Sequence, residues 1–125
     1  MLAAEHRLRD SDAFRRTVRA GRRAGGSAVV VHLLTPAPPA QVHSVRVGLV
    51  VSKAVGNAVA RNQVKRRLRH VVRPHLASLP AGAEVVVRAL PPAAGLSSAE
   101  LDAELTRCLS RAMRSPAAPR TGAAS

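Results

Sequence analysis

Apolar and charged positions alternate along the chain in a way that sets out its elements from the start. Phe14 and Val18 fall one helical turn apart, with Arg15, Arg16 and Arg19 on the other sides, so the pattern predicts an amphipathic helix. Asp10 or Ser11 can cap it, Asp12 suits the positive end of its dipole, and Gly21 ends it. After Gly25-Gly26, the run from Ala28 to Leu34 is rich in β-branched residues and predicts a strand. A further short strand over Arg22 to Ser27 is left open by the sequence. Thr35 to Ala40 carries Pro36, Pro38 and Pro39 and reads as a loop. Val45 to Ser52 is apolar on both faces, the pattern expected of a central strand in a covered sheet. Glu84 to Leu90 predicts another Val-rich strand.

Between the last two strands lies a second helix, which Asn57 can cap and which Pro74 ends or kinks. At about 100° per residue, Val64, Leu68, Val71 and Val72 share an arc of about 100°. Arg61, Asn62, Lys65, Arg66, Arg69 and Arg73 fill the adjacent arc of about 140°. One face is therefore expected to pack on the sheet, leaving the other as a continuous basic surface. A last helix opens with a capping box, Ser97 with Glu100. Leu101, Leu105, Cys108, Leu109 and Ala112 form its apolar stripe, and Pro116 stops it. The whole is an α+β chain in the order helix, strands, basic helix, strand, helix. One domain is expected over 1–115, with a disordered tail expected over 116–125, and the sequence shows no internal repeat.

Composition changes this picture in two ways. Hydrophobic residues make up 46% of the 125, enough for one core, but that core is filled by Ala, Val and Leu, and Phe14 is the sole aromatic residue. No apolar run spans a membrane and no signal-peptide pattern opens the chain, where Glu5, His6 and Arg7 follow soon after Met1, so a cytoplasmic protein is expected. The one cysteine, Cys108, excludes an internal disulfide and is expected to be a buried core thiol. His6, His32, His43, His70 and His75 show no metal-ligand spacing, and most are expected at the surface.

Charge alters the picture more. The formal net charge is +13, from 20 Lys and Arg against 7 Asp and Glu. No acid stands between Phe14 and Ala83, a stretch that holds 13 of the basic residues; the 7 others match the 7 acids. A segment so long and one-signed repels itself unless it meets a polyanion. A membrane surface would require bulky apolar anchors that this chain lacks, which leaves nucleic acid. The basic helix carries the same implication, because Arg61, Lys65 and Arg69 are like-charged at i,i+4, a spacing that costs helix stability. No carboxylates cluster in the basic region, which argues against a self-contained, metal-dependent nuclease site.

Two readings of single features stay open at this level. The turn Ser52, Lys53, Gly56, Asn57 could hold a phosphate on backbone amides, or be a plain strand-to-helix turn; it lacks the P-loop spacing. Phe14 is either a base-stacking platform or the one large core residue, and the residues alone favour the core. A structural RNA-binding protein of the ribosomal kind, or a protein-only nuclease, are the rival functions.

The stretch Lys53-Ala54-Val55-Gly56-Asn57-Ala58-Val59-Ala60-Arg61-Asn62-Gln63-Val64-Lys65-Arg66-Arg67-Leu68-Arg69 closely resembles the signature of the bacterial ribonuclease P protein family. The similarity extends to His6-Arg7-Leu8, to Asp12-Ala13-Phe14 and to Arg46 through Lys53, and covers about residues 5 to 113. It implies a small α/β sandwich whose basic helix lies in a left-handed βαβ crossover. It also implies partners: a catalytic RNA and precursor tRNA, with no membrane and no obligate protein partner. On this resemblance Arg7, Arg46, Ser52, Lys53, Asn57, Arg61, Asn62, Gln63, Lys65, Arg66, Arg67 and Arg69 would contact RNA. Phe14, Val18 and His32 would line a cleft for the single-stranded 5′ leader, which turns Phe14 from core residue to stacking platform. The RNA, with bound Mg²⁺, would hydrolyse the phosphodiester, and the protein would supply neither a catalytic side chain nor a metal site.

Two departures stand out. Gln63 takes the place of the second arginine in the family's RNR triplet, removing a charge but keeping hydrogen-bonding capacity. Val18 and His32 stand where family members often carry aromatic cleft residues; His32 could still stack, whereas Val18 could not.

Overall fold

A computed structural model describes residues 7–8, 11–35 and 44–114. Asp10 as a cap, His6 and His43, the loop prolines Pro36, Pro38 and Pro39, the stop at Pro116 and the tail over 116–125 lie outside the described residues.

Alternation at period two places Val29, Val31 and Leu33 on one side of strand β2 (Val29–Leu34), where all three are buried. They meet Val85, Val87 and Ala89 of β4 (Glu84–Ala89) and Val47 of β3 (Arg46–Val51) in a single core. The short strand that the sequence left open exists as β1 (Arg22–Gly25). The sheet runs β1-β2-β4-β3; its first two pairings are antiparallel, and β3 with β4 is parallel. Helices α2 (Ala58–Val72) and α3 (Ser98–Arg114) cover the core face with the stripes read from the sequence: Val64, Leu68, Val71 and Val72, then Leu101, Leu105, Cys108, Leu109 and Ala112. Each large side chain so buried contributes about 1.5–3 kcal/mol. Helix α1 (Ser11–Ala20) lies on the opposite face, where Ala13 joins Leu8 and Val86 in a small second cluster edged by Phe14 and Val50.

The caps are those the sequence called for. Asn57 Oδ1 accepts from the Ala60 amide at 2.9 Å, and Ser97 and Glu100 bond reciprocally at 2.9 and 3.1 Å. Gly21 closes α1 by donating to the Thr17 carbonyl at 2.9 Å. Helix α2 ends at Val72, just before Pro74 as expected, and the chain goes on as a 3₁₀ turn over Arg73–Ser78.

One expectation is corrected here. The strand after Val45 is not central: β3 is the last of the four, flanked on its outer side by a lone bridge to Arg7. Its apolar character on both faces reflects what covers it, α2 on one side and Phe14 and Leu8 on the other, and not its rank in the sheet.

The hand of the crossover follows from L-chirality. Viewed from the core face with β3 running upward, a residue whose side chain faces the viewer turns its N–H and C=O to the right. Val47 faces the core, and its carbonyl accepts from the Leu8 amide at 3.0 Å. Arg46 faces away, and its amide reaches the Ala83 carbonyl, just before β4, at 3.0 Å. So β4 lies to the left of β3 with α2 in front, and the β3–α2–β4 unit is left-handed, against the usual rule. No helix among the described residues is long and apolar enough to cross a membrane.

Candidate nucleic-acid interface

The crossover brings the outer edge of β3 between the basic helix and the N-terminal segment. Lys65 and Arg69 from α2, Arg7 from the bridge and Phe14 from α1 converge there around a cleft of about 400 Å³ floored by Gly48. The Phe14 ring lies directly over Gly48, so close that a Cβ at that position would collide with it. Glycine at 48 is what lets the ring reach the strand. A second cleft of about 360 Å³ opens on the other side of the same ring, between Val18, Arg15 and Arg19 of α1 and Val50 and Arg88 of the sheet. Phe14 is the wall the two clefts share, half-buried, with apolar surface beneath it and arginines on both flanks.

The expected RNA contacts divide in this frame. Asn62, Gln63 and Arg66 are exposed on α2, and Arg61, Lys65 and Arg69 are half-buried beside them. The Arg61 Nε is buried without a partner. Arg67 stands apart, because its Nη1 donates to the Leu96 carbonyl at 3.0 Å and ties α2 to the segment before α3. Ser52 and Lys53 are exposed at the turn into α2. The amides of Val55 and Gly56 are engaged inside that turn at 3.1 and 3.2 Å, and the Ala60 amide is engaged by the Asn57 cap. Asn57 is occupied as the cap. Arg46 stands opposite Glu84 in the strand register and lines neither cleft.

His32 does not meet its expectation. It lies in β2 on the same sheet face as Arg88, but it is 6% exposed and lines neither cleft. Burial, with Arg23 and Arg88 nearby, pushes its pKa below the ordinary value, so the ring is neutral near pH 7, and its Nδ1 has no partner. Having no open face, it is not a stacking platform in this structure. Of the other described histidines, His70 is exposed and His75 half-buried.

Two features could not be weighed from the sequence. Arg16 is not a free cation: it makes two 2.8 Å contacts with the buried Glu84 carboxylate, which also accepts from Thr17 at 3.3 Å. Arg15 pairs with Asp12 in turn, so two acids outside the acid-free stretch each neutralise one of its arginines. Arg88 was missed as a cleft residue because it lies beyond that stretch. The signal was there, a lone cation in a valine strand, out of phase with the core positions Val85 and Val87.

The family model described as Ribonuclease P matches residues 2–113. The chain is 62% identical over 111 residues to the ribonuclease P protein component of a Nocardioides species, covering 89% of this chain and 94% of that one. With the component of Corynebacterium diphtheriae it shares 50% over 117 residues, covering 91% and 98%. Among solved structures, the Staphylococcus aureus RNase P protein superposes with a TM-score of 0.72 at 28% identity, covering 86% of this chain and 94% of the other. The Thermotoga maritima protein, at 23% identity and a TM-score of 0.70, shares the fold.

Proposed function

The chain belongs to the ribonuclease P protein family, and from that premise we propose that it is the subunit that binds the catalytic RNA and the 5′ leader of precursor tRNA in a ribonucleoprotein that matures tRNA 5′ ends. The carrying observation is the convergence of Arg7, Lys65 and Arg69 on one side of Phe14, with Arg15, Arg19 and Arg88 on the other. The exposed row of α2 and the Ser52–Lys53 turn grip the backbone of the catalytic RNA, each phosphate contact releasing counterions. Phe14 offers its ring to a leader base, and Arg19 and Arg88 on its α1 side hold the leader's phosphates. Val18 adds apolar contact and no stacking surface. Gln63 contributes hydrogen bonds where the family's triplet has a charge.

The protein's part is to bind and orient; on this reading no side chain takes part in the bond-breaking step. On the same reading, the Lewis acidity would come from Mg²⁺ held by the RNA. Among the described residues, no three of His, Cys, Asp or Glu come together. The buried carboxylates are engaged, Glu84 by Arg16 and Glu104 by the amides of Ala28 and Val29.

Reconstitution tests the assignment. The purified chain added to a bacterial ribonuclease P RNA at low Mg²⁺ is expected to stimulate accurate 5′ cleavage of precursor tRNA. No stimulation, or cleavage by the protein without RNA, would sink it.

A further inference from the structure

A third cleft, of about 590 Å³, lies at the far side of the molecule, between the Gly25–Gly26 turn that joins β1 to β2 and the C-terminal half of α3. Arg107, Arg111 and Arg114 line it, with Thr106 and Ser110 between them. At i, i+4 and i+7 these arginines fall within an arc of about 60° and form a row about 10 Å long. Like charges at this spacing weaken a helix, although the last two also suit its C-terminal dipole.

The acids of α3 offer this row little compensation. Glu100 is held in the capping box and Asp102 by His75. Glu104 is buried and turned toward the Ala28 and Val29 amides, its other oxygen on Ser27 and 3.9 Å from Arg107. The cleft is also fixed in shape. Arg111 donates to the Gly25 carbonyl at 2.6 Å, and Arg22 donates to the Met113 carbonyl at 3.3 Å, clamping the turn to the helix. Hydroxyls and arginines on a rigid frame suit phosphodiester oxygens.

Position adds a second argument. The cleft sits by β1 and the Phe14 clefts by β3, the two outer strands of the sheet. At about 4.8 Å per strand they are separated by roughly 14 Å or more, too far to share one phosphate. We propose that the α3 cleft is a second phosphodiester-binding surface, occupied by an RNA segment distinct from the one held at α2. The proposal rests on the RNA-subunit reading above. The segment comes from either the catalytic RNA or the precursor tRNA, and the chemistry is the same for both.

Two equilibria measured against KCl test it: the full chain with ribonuclease P RNA, and the reconstituted holoenzyme with precursor tRNA. Arg107→Ala with Arg114→Ala is expected to weaken one of them several-fold and to reduce its log–log salt slope by roughly 1–2. The affected arm identifies the source of the RNA. Ser110→Glu, which adds a carboxylate to the cleft and removes neither arginine, is expected to act in the same direction, so the test does not depend on how well the double variant folds. Arg107→Lys with Arg114→Lys should restore most of the loss. Unchanged affinity and slope in both arms for both variants overturns the proposal. Lys65→Ala with Arg69→Ala serves as comparator: if it too leaves assembly unchanged, the subunit reading itself fails.

Discussion

Single residues decide how this fold presents its charge. Glu104 is the clearest case, an acid 5% exposed that holds the start of β2 through the Ala28 and Val29 amides, the latter at 2.8 Å. A Cβ at Gly26 would meet its carboxylate at 2.5 Å, so the turn sequence is matched to it. Burial raises the Glu104 pKa, but the two amides, Ser27 and Arg107 together outweigh it, and the net shift is downward. Glu104→Ala is expected to cost about 1–3 kcal/mol in a denaturant titration, the penalty of leaving buried donors unsatisfied. Glu104 and His32 also give stability a pH dependence of known sign. Both have folded pKa values below the ordinary ones, 4.5 and 6.5, so the unfolded chain takes up their protons first. Their contribution is complete above those values and is lost as pH falls through the folded pKa. Melting temperature should therefore drop first on going below about pH 6.5, and His32→Leu should remove that first drop. An unaltered profile in the variant would contradict the buried, neutral histidine.

At the level of elements, α2 carries opposing demands. Its apolar row is fully buried, while Arg61, Lys65 and Arg69 repel one another at i,i+4 on the exposed side. Lys65→Glu turns two repulsive pairs into attractive ones and should stabilise the free protein by about 0.5–1 kcal/mol in thermal or urea unfolding. The same change should weaken assembly with the catalytic RNA. A variant that is both more stable and equally well assembled would show that the row has no RNA to bind. The helices were legible in the sequence because their signals are local: the Asn57 cap, the Ser97–Glu100 box and the 3.6-residue stripes all lie within a few turns. Strand order was not, because pairing β2 with β4 and leaving β3 outermost is settled by contacts between residues far apart in sequence, such as Val29 with Ala89 and Arg46 with Glu84, which no local pattern encodes. The left-handed crossover was implied by the family resemblance, and the Val47 and Arg46 hydrogen bonds bear it out.

Across the whole molecule, the acid-free stretch overstated the free charge in one place and understated it in another. Arg16 is neutralised by Glu84, and Arg67 is turned to Leu96. Arg88, outside the stretch, joins the groove. The amphipathic faces that put Phe14, Val18 and the basic row of α2 beside the clefts were legible in the sequence, whereas the burial of His32 was not, since an outward-facing strand position becomes interior only when α1 and the neighbouring arginines cover it. The proposed function divides the labour about Phe14, assigning the catalytic RNA to the α2 side and the leader to the α1 side. One comparison tests that division most directly: holoenzymes reconstituted with the natural chain and with Phe14→Ala, titrated with precursor and with mature tRNA. The account predicts that Phe14→Ala assembles normally and loses about 1–3 kcal/mol of the preference for leader-bearing tRNA, the worth of one base stacked on an aromatic ring. A Phe14→Ala holoenzyme that keeps the full preference would contradict it, as would a variant chain that fails to fold.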